Sequence, residues 1–375
     1  MSPKILWYAG LNKKTFRDLA SEFLVMKKII SIFLKTSLIL VIIVSLLEII
    51  SFFLLKFDHT ELFSVKNYIE KTNDNRVFTL KKDYDNDELD HLYEGRTFSI
   101  ITSSERLRIS KKNNLNIKDK TDKQKFLFIG DSVPFGYGVD AEESLPFYFQ
   151  NYNKNLIVLN GAIPSYSIAQ TVERYNKEFK DIKNIKYIYL QVSSPAQDYG
   201  MFGVDWQPSD SWTFADQVLR PYHLTNISIP YYGDSFFLDF VRKKIVRIAA
   251  KKKKLQTFKK KHNKQSDIKF VNHLNLNLNN LYNLIKNHST ILILSPINAP
   301  KFSAKNRTVG YERAMKLLNK TFSDFSLKRS DVLYFDVSSE LNINSKEMFI
   351  DYCCHLSGKG AELMAKKLTE FIKKK

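Results

Sequence analysis

Five short apolar runs, separated by stretches with helical periodicity, constrain this chain more than any other feature. They are residues 126–129 (FLFI), 156–160 (LIVLN), 186–192 (KYIYLQV), 291–295 (ILILS) and 332–336 (VLYFD). Runs that are apolar almost throughout, instead of alternating with polar residues, suit strands buried on both faces. Helical patterns fall between them, at 168–179 for example, and again after the last run at 361–373. The expected fold is therefore α/β, with a five-stranded parallel sheet covered by helices on both sides. Ligands bind such sheets at the carboxyl ends of the strands. Ser132, Gly161 and the residues after Val192 all fall at such ends.

The first run breaks into GDSVPFGYG, residues 130–138. A serine at a strand-to-helix turn is exposed, and the following helix N-terminus offers free N–H groups and a partial positive charge. Ser132 can then serve as nucleophile and lend half of an oxyanion hole. Gly, Asp and Ser also build ordinary tight turns, so the tripeptide needs partners. Asp351 and His355 supply them on one short loop, DYCCH. A carboxylate that fixes the tautomer of a histidine lets that histidine take the proton of a serine. A histidine alone reads equally as a packed or surface residue. The adjacent Cys353 and Cys354 read as small core side chains, and two cysteines exclude both a disulfide framework and a four-cysteine zinc site. No metal or organic cofactor is called for.

Residues 36–55 (TSLILVIIVSLLEIISFFLL) carry one charge, Glu48. Twenty such residues span roughly 30 Å of hydrocarbon as a helix. Glu48 near mid-bilayer costs about 2.5–3.5 kcal/mol, which the other side chains offset. The segment before it is rich in Lys, and this places residues 1–35 in the cytoplasm and the rest outside. A buried core helix or a cleaved signal peptide is the competing reading. Met26, followed by two lysines, offers an alternative translation start. Residues 56–124 are polar and charge-mixed, and are expected to form a stalk, a partial cover or a plain spacer.

The net charge is +19, and residues 241–264 alone contain twelve Lys or Arg without an acid. The basic character is thus mostly one segment, set inside a long insertion at about 199–281. The insertion begins with Phe202, Trp206, Trp212, Phe214, Tyr222, Tyr231 and Tyr232, which suit sugar rings or simple packing. Residues 236–261 follow as a basic amphipathic helix, suited to anionic lipid headgroups or an acidic glycan, or merely a solvated face. The expected topology keeps it away from nucleic acid.

Taken together, these blocks resemble the SGNH (GDSL-type) hydrolase family, and within it the bacterial membrane-anchored members associated with cell-envelope polysaccharides. The resemblance covers about 125–198 and 291–373. GDSVPFGYGV is similar to the nucleophile block, where Ser132 matches the catalytic serine. NGAIPSYS (160–167) is similar to the second block, where Gly161 matches an oxyanion N–H donor. DYCCHLSGKG (351–360) is similar to the last, where His355 matches the base and Asp351 its orienting acid. Glu48 inside the anchor also resembles the membrane-bound members. The family's third block supplies an Asn, whereas SSPAQD (193–198) has none and offers Gln197, or less favourably Ser194. Loss of one oxyanion donor costs on the order of 10²–10³ in rate. The family also places two residues between its Asp and His, and this chain places three.

The resemblance implies an SGNH/flavodoxin-like three-layer α/β/α domain over 125–375, preceded by one transmembrane helix at 36–55. It implies a serine esterase removing O-acyl, chiefly O-acetyl, groups from an envelope glycan or lipid-linked glycan. The protein would be single-pass in the inner membrane, with its domain periplasmic or extracellular. An O-acyltransferase using the same site, and an inactive scaffold for polysaccharide assembly, are the alternatives.

Overall fold

The computed structural model describes residues 13–56, 68–110, 122–193, 264–297, 309–337 and 345–375, apart from 73, 77, 86–90, 94–95, 165, 352 and 353. Ser194, Gln197, Cys353, the aromatic residues from 202 to 232 and the basic segment 236–261 lie outside the described residues. Helix α1, Lys13–Lys56, is continuous over 44 residues and contains the whole 36–55 stretch. Within it Ser21–Ser51 is long and apolar enough to cross a membrane, a test that a signal sequence passes as well.

Six short strands follow in three antiparallel hairpins. They are β1 (Ile69–Lys71) with β2 (Phe78–Leu80), β3 (His91–Tyr93) with β4 (Arg96–Phe98), and β5 (Ile101–Thr102) with β6 (Arg108–Ile109). Two-stranded pieces of this length are not stable by themselves, and these are held by packing. Tyr68, Phe78, Leu80, Phe98 and Ile100 are buried in one cluster with Phe135, Tyr137, Ala162, Ile163 and Tyr166. Between residues 68 and 100 described side chains of this segment pack into the core, and we call the segment the cover.

The main unit runs β7 (Lys125–Gly130), α2 (Ser132–Phe135), α3 (Leu145–Tyr152), β8 (Ile157–Asn160), α4 (Ile168–Arg174, continued by a π-helical turn Tyr175–Phe179) and β9 (Ile185–Val192). It continues with α5 (Lys264–Ile285), β10 (Ile291–Pro296), α6 (Val309–Ser326), β11 (Val332–Tyr334) and α7 (Gly358–Lys373). Strands 7 to 11 form one parallel sheet in the order β11–β10–β9–β7–β8. Side chains of α4, α5 and α6 cover one face, and α3 and α7 cover the other. The result is the three-layer α/β/α arrangement. Along β9 the pleat sends Ile188, Leu190 and Val192 to the first face and Tyr189 to the second, so both faces of the strand carry buried apolar side chains.

One local boundary differs from the sequence reading. The insertion ends before residue 264, because α5 is a core crossover helix and not part of it. Its stripe of Phe270, Leu274, Leu278, Leu281 and Ile285 is buried, while the interleaved Asn residues mask the helical period. The first helix after β8 changes to π-helix at Tyr175, which keeps Tyr175 and Phe179 both on the sheet.

His273 lies on α5, and burial lowers its pKa from the ordinary 6.5 to about 4. Between those pH values the unfolded chain takes up a proton that the folded chain refuses, so stability falls as pH drops through this window. The loss attributable to this one side chain is up to about 3 kcal/mol. Urea unfolding of the chain from residue 57 onward, at pH 7 and pH 5, should show a smaller pH-dependent loss for His273→Gln than for the parent.

Candidate active site

β7 ends at Gly130, and its geometry there leaves no choice of residue. Gly130 has φ +133°, and a Cβ would lie 2.1 Å from the Gln191 carbonyl oxygen on the neighbouring strand. The chain then turns into the four-residue helix α2, with Asp131 as its N-cap and Ser132 as its first residue. The Asp131 carboxylate accepts from the Val133 N–H (3.2 Å) and from both the N–H and hydroxyl of Ser193 (2.6 Å each). A buried carboxylate thereby ties the serine turn to the end of β9. Burial raises the Asp131 pKa, opposed by the Ser193 hydrogen bonds.

Gly136 ends α2 in the left-handed region at φ +80°, and its N–H returns to the Ser132 and Val133 carbonyls. Ser132 itself is half-buried. As the first helical residue it has no intrahelical acceptor for its N–H.

His355 and Asp351 arrive from the segment before α7. A single bridge between Phe349 and Leu356 closes the loop. Asp351 Oδ1 accepts from the Cys354 (3.1 Å) and His355 (3.2 Å) N–H groups, so the carboxylate organises its own turn. Its Oδ2 lies 2.5 Å from His355 Nδ1. With the proton on Nδ1, His355 Nε2 accepts from the Ser132 hydroxyl at 2.7 Å. The extra residue between Asp and His is taken up by this i to i+4 turn, so both side chains still reach one line. Both are 7% exposed, and Tyr137 lies against the histidine with ring centroids 5.5 Å apart. Cys354 is buried in the core on the α3–α7 face.

Ser132, His355 and Asp351 are thus brought together; Gly161 is not available in the way the sequence reading expected. Its N–H donates to the Phe128 carbonyl at 2.8 Å, and two residues on the Ile163 N–H donates to Gly130. The ladder between β7 and β8 runs on past the strand and consumes these donors. Gly161 has a packing reason instead, since a Cβ would lie 2.6 Å from the Phe179 ring. Gln197 lies outside the described residues. Sequence reasoning missed Asp131 as the tie to Ser193, and it missed Arg108. The guanidinium of Arg108 is buried and donates to the carbonyls of Phe135, Gly136 and Val139. Among the described residues no cluster of three or more metal-ligating side chains is present.

No family model and no curated protein sequence matches the chain. Solved structures do. Among the structures it is similar to are G-D-S-L lipolytic proteins, esterases and acylhydrolases. A G-D-S-L lipolytic protein from Veillonella parvula is 10% identical, with a TM-score of 0.40, over 67% of this chain and 98% of its own. A lipase/acylhydrolase from Enterococcus faecalis is 14% identical, with a TM-score of 0.39, over 67% and 95%. A mutant acetyl-xylooligosaccharide esterase from Geobacillus Stearmophilus is 15% identical, with a TM-score of 0.38, over 66% and 94%.

Gly130→Ala should cost at least about 2 kcal/mol, because it combines a positive φ with a backbone clash. Urea midpoints of parent and variant measure this, and a variant as stable as the parent would contradict the geometry of the turn.

Proposed function

We propose that the chain is a membrane-anchored serine esterase of the SGNH type. Its reading rests on one observation, the continuous hydrogen-bonded line from Asp351 through His355 to Ser132. Ser132 Oγ attacks an ester carbonyl while His355 Nε2 takes its proton. Asp351 keeps the imidazole in the correct tautomer and stabilises the imidazolium. The Ser132 N–H, at the helix N-terminus, faces the oxyanion that forms on the carbonyl. Collapse transfers the His355 proton to the leaving alcohol and leaves an acyl group on Ser132. Water, deprotonated by the same histidine, then releases the acid.

The substrate reading is an O-acyl group, most simply O-acetyl, on a glycan of the cell envelope. Support comes from the apolar N-terminal helix, which would hold the domain at a membrane surface, and from the aromatic residues of the insertion. The domain would then lie on the periplasmic or outer side of the inner membrane, with residues 236–261 suited to anionic headgroups.

A fluorophosphonate probe tests the machinery without knowledge of the acceptor. The parent should label at Ser132, and Ser132→Ala should abolish labelling. His355→Ala and Asp351→Asn should each slow it by about 10²–10⁴. A folded parent that does not label would sink the proposal. Acetate release from acetylated glycans, measured with and without an added sugar acceptor, then distinguishes water from a hydroxyl as the second nucleophile.

A further inference from the structure

The cover and the nucleophile meet at Arg108, on β6. Its Nη1 donates to the carbonyls of Phe135 (2.7 Å) and Gly136 (2.5 Å), and its Nη2 to those of Val139 (2.7 Å) and Ser99 (3.0 Å). The guanidinium also lies over the Phe135 ring, 4.7 Å from its centroid. No carboxylate pairs with it among the described residues. A buried cation is costly unless its donors are satisfied, and here backbone carbonyls do most of the satisfying.

Three of those carbonyls belong to the five residues 135–139, which end α2 and carry Tyr137. Helix ends leave carbonyls without intrahelical partners, and a cation there is favourable. Tyr137 is held from two further sides. Its N–H donates to the Ser132 carbonyl at 3.0 Å, and its ring meets Phe98 of the cover edge-on at 5.3 Å. The Tyr137 ring also lies against His355, with centroids 5.5 Å apart.

We propose that Arg108 is a positioning residue for the Ser132–His355 pair, acting through the carbonyls of residues 135–139 and the Tyr137 ring. The cover is then part of the catalytic unit, and not a spacer between membrane and enzyme. Arg108 touches neither reacting group. It fixes the C-terminal end of the helix whose first residue is the nucleophile, and it fixes the loop whose aromatic ring backs the base. A planar fork matters here, because an ammonium cannot reach carbonyls on both sides of the turn at once.

This inference rests on the serine-nucleophile reading, and one experiment separates the two. The full chain, in detergent, is labelled with a fluorophosphonate across a range of pH, as parent, Arg108→Lys and Arg108→Ala. Displacing a reacting group by about 1 Å costs up to about 10²-fold, so Arg108→Lys should label at least about tenfold more slowly. Its pH profile should shift, since Tyr137 no longer backs His355 in the same place. Arg108→Ala should be slower still and should recover on adding millimolar methylguanidinium, which fits the space that the side chain leaves beside an existing cavity of about 50 Å³. Arg108→Lys labelling within about twofold of the parent, with an unchanged pH profile, would overturn the inference. So would a slow, folded Arg108→Ala that methylguanidinium does not accelerate. If Arg108→Ala does not fold, the rate and profile of Arg108→Lys decide alone. A parent that does not label removes the nucleophile reading, and this inference with it.

Discussion

Strand β7 has a hydrogen-bonded neighbour on each side, and almost everything that matters here follows from that. A strand paired on both edges cannot shift its register without breaking two ladders, so the place where it ends is fixed to the accuracy of the sheet. Gly130 is the last residue in that ladder, facing Gln191 across the β7–β9 pair. The order 8–7–9–10–11 also makes β7 the point where the chain's progress across the sheet reverses. Connections leave to opposite sides there and open a crevice at the carboxyl ends. Ser132 sits at that crevice because it is the second residue after the ladder stops.

Fixing the strand does not fix the turn that follows, and this turn is held by two side chains of opposite charge. Asp131 reaches forward to Ser193 at the end of β9, and Arg108 reaches in from the cover to the end of α2. Both are buried, and burial works against both charges: it raises the Asp131 pKa and lowers that of Arg108 to about 10. Arg108 remains cationic at neutral pH all the same. Asp131 accepts from backbone and hydroxyl groups, and the two Nη atoms of Arg108 donate to backbone carbonyls while its buried Nε finds no partner among the described residues. Arg174 repeats the device one layer away, binding the carbonyls of Gly161 (2.7 Å), Ala162 (3.2 Å) and Arg106 (2.5 Å). Its Nε pairs with Glu178 at 2.7 Å, and Arg76 reaches the same carboxylate from the cover. Planar forks hold irregular backbone where no ladder can.

How much of this was legible in the sequence depends on the range of the interaction. The five strands were visible because burial on both faces makes each run apolar, and their observed bounds differ by one or two residues from the runs themselves. The serine, histidine and aspartate stood out because each occupies a short, distinctive block. The α5 stripe was hidden by Asn residues scattered over both faces: Asn272, Asn279 and Asn280 are exposed, Asn277 is buried, and Leu276 points to solvent, so composition blurs the period. Arg108 was illegible for another reason. It belongs to a polar stretch whose composition reads as spacer, and its partners are carbonyls, which leave no trace in any side-chain pattern.

Gly161 shows the same limit from the other side. A glycine after a strand fits an oxyanion donor by sequence, but whether an N–H is free is a property of the ladder and not of the residue. Residues 160–163 keep bonding to β7 beyond the formal end of β8, so the Gly161 and Ile163 donors are spent. Ser132 escapes because helix geometry, unlike a ladder, leaves its first N–H groups without acceptors. One rule covers both positions: a backbone N–H is left free for an oxyanion only where one backbone pattern has ended and the next has not yet begun to consume its hydrogens. In this chain Ser132 meets that condition and Gly161 falls one strand-step short of it.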